Sequence, residues 1–219
     1  MTVLGDAHAD DPENRASLMA AYEAADAPVT LQLGDLGHYD LPTPTYFVAG
    51  NNEDLDVVDA LREGDDPDVE GVSNLILVAS RAFEIGDLKL AGLSGNYAPT
   101  QYEKSREELV GARRRHFVES EVEAAMGLHD VDVFLAHEAP HGVLHTDGYD
   151  VGCRPMDRIL SELEPDLCLV GHHHQHAEGS FGDTRVVCLA PVTESYYSLD
   201  PDTLGLERTE TPEPNEAER

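Results

Sequence analysis

Short apolar runs, each closed by a glycine or a polar residue, set the rhythm of this chain. Residues 2–4, 29–33, 45–49, 131–136 and 167–170 read as buried strands, apolar through their length instead of alternating. Between them the period lengthens to that of a helix. Residues 14–25 carry Leu18, Met19 and Tyr22 at helical spacing behind Asp11-Pro12, a cap followed by a first-turn proline, and predict a helix crossing from the first strand to the second. Residues 54–61 predict a short helix with Leu55, Val58 and Leu61 on one face, and residues 64–68 a turn-rich acidic loop. The longest helix is expected over residues 105–126, and another over residues 155–163, opened by a proline and carrying Met156, Ile159, Leu160 and Leu163.

Elsewhere the pattern is that of antiparallel sheet. Residues 75–93 hold short apolar runs on either side of Gly86-Asp87, a hairpin signal. Residues 177–181, 184–189 and 192–199 predict a terminal antiparallel meander. From Glu207 onward the chain is rich in Pro and Glu without apolar pattern, which predicts an acidic, unstructured tail over 207–219. There is no internal repeat, heptad or linker. Strand–helix alternation followed by hairpins predicts one α/β domain over 1–206, with two mixed β-sheets packed as a sandwich between flanking helices.

Composition narrows the setting. The chain of 219 residues is long enough to bury a core without disulfides. With 44 acidic against 14 basic residues its formal charge is −30, and the acids are spread along the chain, so we read an acidic surface adapted to salt. Such a surface repels phosphate-rich polymers at low salt, so a nucleic-acid partner is not indicated. The repulsion loses its reach at ~1 M salt, where the Debye length is ~3 Å. Cys153, Cys168 and Cys188 show no zinc or redox spacing, and the last two sit in apolar runs as buried thiols, which suggests a reducing compartment. No basic leader is present and no apolar run approaches ~18 residues, so the expectation is a cytoplasmic protein with no membrane partner, compatible with a homo-oligomer.

The candidate chemistry lies where the strands end. The five buried runs are followed by Asp6 and His8, by Asp35, by Asn51, by His137, and by His172 and His174. In an open α/β sheet the strand carboxyl ends form the ligand crevice. Imidazole nitrogens mixed with carboxylate and amide oxygens suit Mn, Fe, Ni or Zn better than Ca. Asp35 offers two oxygens, as a bridge between two cations requires. Competing chemistries find no support: Gly92-Leu93-Ser94-Gly95 is followed by Asn96, so it is not a serine-hydrolase elbow, and no phosphate-binding glycine loop occurs.

Asp6-Ala7-His8, Gly34-Asp35, Gly50-Asn51-Asn52-Glu53, Ala136-His137-Glu138-Ala139-Pro140 and Gly171-His172-His173-His174 together resemble the calcineurin-like metallophosphoesterase family over roughly residues 1–200. The resemblance implies two divalent transition-metal ions, Mn first, with Fe, Ni or Zn as alternatives. It places Asp6, His8, Asp35 and His174 on one metal and Asp35, Asn51, His137 and His172 on the other. It also implies a metal-bridging hydroxide attacking phosphorus in line on a phosphate-ester substrate, with phosphodiesters favoured over phosphoproteins. One block departs, because Asn52 stands where the family has a histidine that assists the leaving group or binds a phosphate oxygen. Asn52 keeps a substrate-binding role in this reading, and His141 and His145 are candidate leaving-group acids. A non-catalytic metal-binding module of the same fold is the alternative, and a nuclease the third. Residues 91–97, Ala-Gly-Leu-Ser-Gly-Asn-Tyr, followed by Arg115-His116-Phe117, are similar to the RNA lariat debranching branch, although its histidine at position 52 and its cysteine at position 6 are missing.

Three further features take bland readings first. Arg113-Arg114-Arg115-His116 reads as a solvated helix face paired with Glu107, Glu108 and Glu119, ahead of a phosphate-facing role. His173, between two ligands on an extended segment, is expected to point away from the metals. His176 is expected at the surface.

Overall fold

The computed structural model describes residues 1–64 and 70–214. In chain order the elements are β1 (Thr2–Leu4), α1 (Pro12–Ala25), β2 (Thr30–Gln32), β3 (Asp40–Phe47), α2 (Leu55–Glu63) and β4 (Ser73–Leu77). They continue through β5 (Ala82–Ile85), β6 (Leu88–Leu93), α3 (Glu119–Met126), β7 (Val133–Ala136), β8 (His145–Thr146), β9 (Tyr149–Asp150) and α4 (Arg154–Leu163). The chain closes with β10 (Leu167–Val170), β11 (Ala177–Phe181), β12 (Thr184–Cys188), β13 (Ser195–Leu199) and β14 (Leu206–Glu210).

Two six-stranded mixed sheets result, ordered β14-β13-β1-β2-β3-β4 and β11-β12-β10-β7-β6-β5. In each, four neighbouring strands are parallel; in the first sheet β13 and β14 extend one side by antiparallel pairing, and in the second β11 and β5 pair antiparallel at the two edges. The continuous apolar runs are explained by burial on both faces. Val3, Leu31, Val133, Leu135, Leu167, Leu169 and Val187 meet in one core cluster between the sheets. Their neighbours Leu4 and Phe47 pack outward with α1 and α2, while Phe134, Cys168 and Val170 pack outward with α3 and α4. This is the two-sheet sandwich with flanking helices that the sequence predicts.

Local chemistry sets the helix ends as expected. Asp11 caps α1 with Pro12 in its first turn, and Asp54 caps α2. Past Gly64, the acidic loop expected over 64–68 lies outside the described residues.

Four expectations are corrected. The long helix over 105–126 is instead two short 3₁₀ turns, Arg106–Glu108 and Gly111–Arg115, then an extended segment and α3. Gly111 takes a left-handed φ of 57°, and the Arg106 guanidinium occupies the carbonyls of Arg114 and His116, which a continuous helix would use for its own ladder. Within residues 75–93 only β5 and β6 pair antiparallel; β4 runs parallel to β3 in the other sheet. The terminal meander is also divided, with β11 and β12 in one sheet and β13 in the other. Finally, the stretch expected to be unstructured from Glu207 begins as strand β14 on β13, tied further by Arg208 Nε to Ser195 Oγ at 2.8 Å. An exposed edge strand needs only its backbone ladder, so it leaves little apolar signal.

Candidate metal centre

The loops that follow β1, β2, β3, β7 and β10 converge at one end of the sandwich. Backbone bonds lock the first two together: Ala7 and His8 donate to the carbonyl of Asp35 at 3.0 and 2.6 Å. His8, Asp35, His172 and His174 all hold left-handed backbone, with φ of 47°, 52°, 72° and 50°. Non-glycine residues at such angles are uncommon and cluster at functional sites. Gly50 permits the close approach, because a Cβ there would strike Asp35 Oδ1 and lie 2.5 Å from the Asp35 nitrogen. Gly50→Ala is therefore expected to lower metal affinity by tenfold or more (about 1.4 kcal/mol) together with Tm, measured by metal titration and thermal melts.

All seven predicted ligands gather here. His8, Asp35 and His174 place ligand atoms within 4.8 Å of one another, as do Asp6, Asp35 and His137, so Asp35 belongs to both groups. His137 Nε2 lies 3.2 Å from Asn51 Oδ1, and the rings of His137 and His172 lie 4.7 Å apart.

The donor set fits cations. Asp6 Oδ2 is buried and lacks a well-formed hydrogen bond, although His174 Nε2 stands 3.1 Å away. His8 Nε2 and His174 Nε2 approach to 3.1 Å, where at most one neutral ring can donate. His137 Nδ1 donates to the Leu33 carbonyl at 2.7 Å, which leaves the Nε2 lone pair directed at the site. Burial pushes the Asp6 carboxyl up, but His174, His137 and the His172 N–H outweigh it and hold Asp6 below its ordinary value. The adjacent Asp6 carboxylate raises His174, whereas burial and the neighbouring His137 lower His172.

Two polar groups unassigned in the sequence hold these loops. Buried Gln32 donates to the carbonyls of Gly5 and Gly34 at 3.2 and 2.8 Å and accepts from Gly34 N–H at 2.8 Å. Glu53 accepts from Leu36 N–H and Gly50 N–H, both at 3.1 Å, and from Tyr39 Oη at 2.8 Å. Burial pushes Glu53 up to about 7, with Asp35 adding to the rise while the two N–H donors oppose it. Because a raised acid favours the fold in its protonated form, metal-free protein should lose stability as pH rises from about 4.5 through 7, and Glu53→Gln should flatten that decline in chemical melts. Glu53→Ala would strand three donors and should cost about 2–4 kcal/mol.

Other expectations come out differently. Asn52 bonds both oxygens of Asp35, through its backbone N–H at 2.7 Å and its side-chain amide at 2.8 Å. It also lines, with His8, His38, Glu53 and Asp54, a cleft of about 650 Å³. A hollow of equal volume beside Ser17 and Arg208 carries none of the ligands. His173 does not turn away: it joins His172 and the buried Glu138 in a third group of potential ligands, because the left-handed residues on either side end the strand-like alternation. Burial and His172 push His173 down to about 4. His141 is held by Asp157 at 2.7 Å and is 42% exposed, His145 is exposed on β8, and neither bonds to any of the seven ligands. His176 is half-buried on Tyr197, 3.2 Å from its hydroxyl.

The family model for calcineurin-like phosphoesterases matches residues 1–176. The chain belongs to that family. The chain is 26% identical over 206 residues to the lariat debranching enzyme of Schizosaccharomyces pombe, an alignment covering 77% of the chain but only 43% of that enzyme, so the chain spans less than half the relative's length. In fold it is similar to TT1561 of Thermus thermophilus, with a TM-score of 0.67 at 18% identity over 96% of this chain and 99% of that one. It is also similar to GAP50, the anchor in the inner membrane complex of Plasmodium, with a TM-score of 0.50 at 14% identity over 97% and 78% of the two chains. These structural likenesses concern the fold alone. Among the described residues no helix is long and apolar enough to cross a membrane.

Proposed function

We propose that the chain is a dinuclear metal-dependent phosphodiesterase. The observation that carries this reading is the pair of ligand groups that share Asp35 at the strand ends. One cation would be held by Asp6, His8, Asp35 and His174, the other by Asp35, Asn51, His137 and His172. Mn is the first choice, and Fe, Ni and Zn suit the same nitrogen and oxygen donors. When bound, such a pair supplies Lewis acidity and an activated water.

The protein's own groups do the rest. His137, fixed by the Leu33 carbonyl, presents Nε2 in one orientation. Glu53 and Gln32 keep the loops from spreading. Asn52 offers an amide to substrate at the rim of the cleft, in exchange for its bond to Asp35. For the leaving oxygen, His141 is the better donor of the two histidines, because Asp157 orients its ring, and His145 is the alternate. His141→Ala should slow esters of poor leaving groups by about 10²-fold and good ones far less; equal rates on both would remove His141 from the mechanism.

The likeness to a debranching enzyme favours a diester over a phosphoprotein. Chelator-stripped protein reloaded with Mn²⁺ at high salt should cleave bis(p-nitrophenyl) phosphate with a higher kcat/KM than the monoester p-nitrophenyl phosphate. A preference for the monoester contradicts the diesterase reading. Absence of turnover on both favours a non-catalytic module.

A further inference from the structure

The arginine cluster divides into residues with and without acidic partners. Arg114 reaches Asp56 at 2.8 Å and Asp59 at 2.6 Å. Arg62 and Arg106 share Glu121. Arg115 is different. Its Nε donates to the Ala112 carbonyl at 2.8 Å and its Nη1 to the Asn51 carbonyl at 3.2 Å, and among the described residues it forms no ion pair. Among the described residues two partly buried guanidiniums, Arg15 and Arg115, form no ion pair with a carboxylate, and Arg115 is the one bonded to the Asn51 loop.

The carbonyl that Arg115 holds belongs to Asn51, a proposed metal ligand, so Arg115 stands beside the edge of the metal centre. Its two bonds leave Nη2 and one N–H of Nη1 uncommitted out of five N–H donors. A guanidinium next to a site for divalent cations is repelled by them unless an anion lies between.

We propose that Arg115 forms an anion subsite beside the metal centre, its free guanidinium N–H groups binding a non-bridging oxygen of the substrate's phosphoryl group. The planar fork of arginine matches such an oxygen pair, and charge on the non-bridging oxygens is stabilised by fixed donors. This rests on the phosphoesterase reading and adds a residue to it. It gives the Arg-rich segment a role that Arg114, committed to α2, cannot take.

The test is calorimetric binding of inorganic phosphate to Mn-loaded wild type and to Arg115→Ala, Arg115→Lys and Arg114→Ala, with bound Mn measured on the same samples. Arg115→Ala should bind phosphate about 10- to 100-fold more weakly at unchanged Mn content, Arg115→Lys should fall between, and Arg114→Ala should match wild type. Equal phosphate affinity in wild type and Arg115→Ala overturns the subsite, as does wild type that binds no phosphate. Loss of phosphate binding only in proportion to lost Mn makes Arg115 a strut for the Asn51 loop and equally overturns it. Phosphate binding that depends on Arg115 in a protein without esterase turnover would leave the subsite standing while the catalytic reading falls.

Discussion

Replacing Asp35 by alanine is expected to lower kcat/KM on a chromogenic phosphodiester by roughly 10³-fold or more, since Lewis-acid stabilisation is worth several kcal/mol. Asp35 is the one residue in both main ligand groups, and its carboxylate also receives the two bonds from Asn52. Its loss should therefore empty or weaken both metal positions, while loss of His8 or His137 should weaken mainly one. The decisive comparison is bound metal per chain beside the rate. If Asp35→Ala keeps wild-type metal content, Asp35 is not the bridge.

The second large effect concerns position 52. In the His141→Ala background, Asn52→His should speed hydrolysis of esters with poor leaving groups by about 10²-fold while changing activated esters little, because general-acid assistance is typically worth ~10²–10⁴-fold and matters most where the leaving oxygen is basic. Asn52 lines the cleft beside His8, so a ring placed there faces the space where an ester would sit. It must also give up the amide bond to Asp35, which makes Tm and metal content necessary controls. No gain on poor leaving groups, with metal content intact, would mean that a ring at position 52 cannot take over the proton assigned to His141.

The convergence of the seven candidate ligands was readable from the sequence because each follows a run of residues buried on both sides, as with Leu135-Ala136 before His137 or Leu169-Val170 before His172. Such runs announce a strand and its end at once. The sharing of strands between sheets was not readable: β4 and β5 lie five residues apart in sequence yet belong to different sheets, and nothing in their apolar content marks the crossing. The break in the 105–126 segment was hidden as well, because it depends on Arg106 reaching carbonyls of residues eight and ten positions ahead. Glu53 and Gln32 escaped for a related reason. Their roles are defined by the loops they join, and those contacts exist only once the strands are paired. His173 was misjudged because alternation holds for extended backbone, and His172 and His174 are left-handed.

Whether a pair of cations acts together on a phosphodiester can be decided by adding Mn²⁺ in measured equivalents to chelator-stripped protein at high salt while following bis(p-nitrophenyl) phosphate hydrolysis. Joint action requires little turnover when one position is filled, a steep rise as the second fills, and a plateau with two Mn bound per chain. Full activity with a single Mn bound, or no Mn-dependent hydrolysis at any loading, would contradict it.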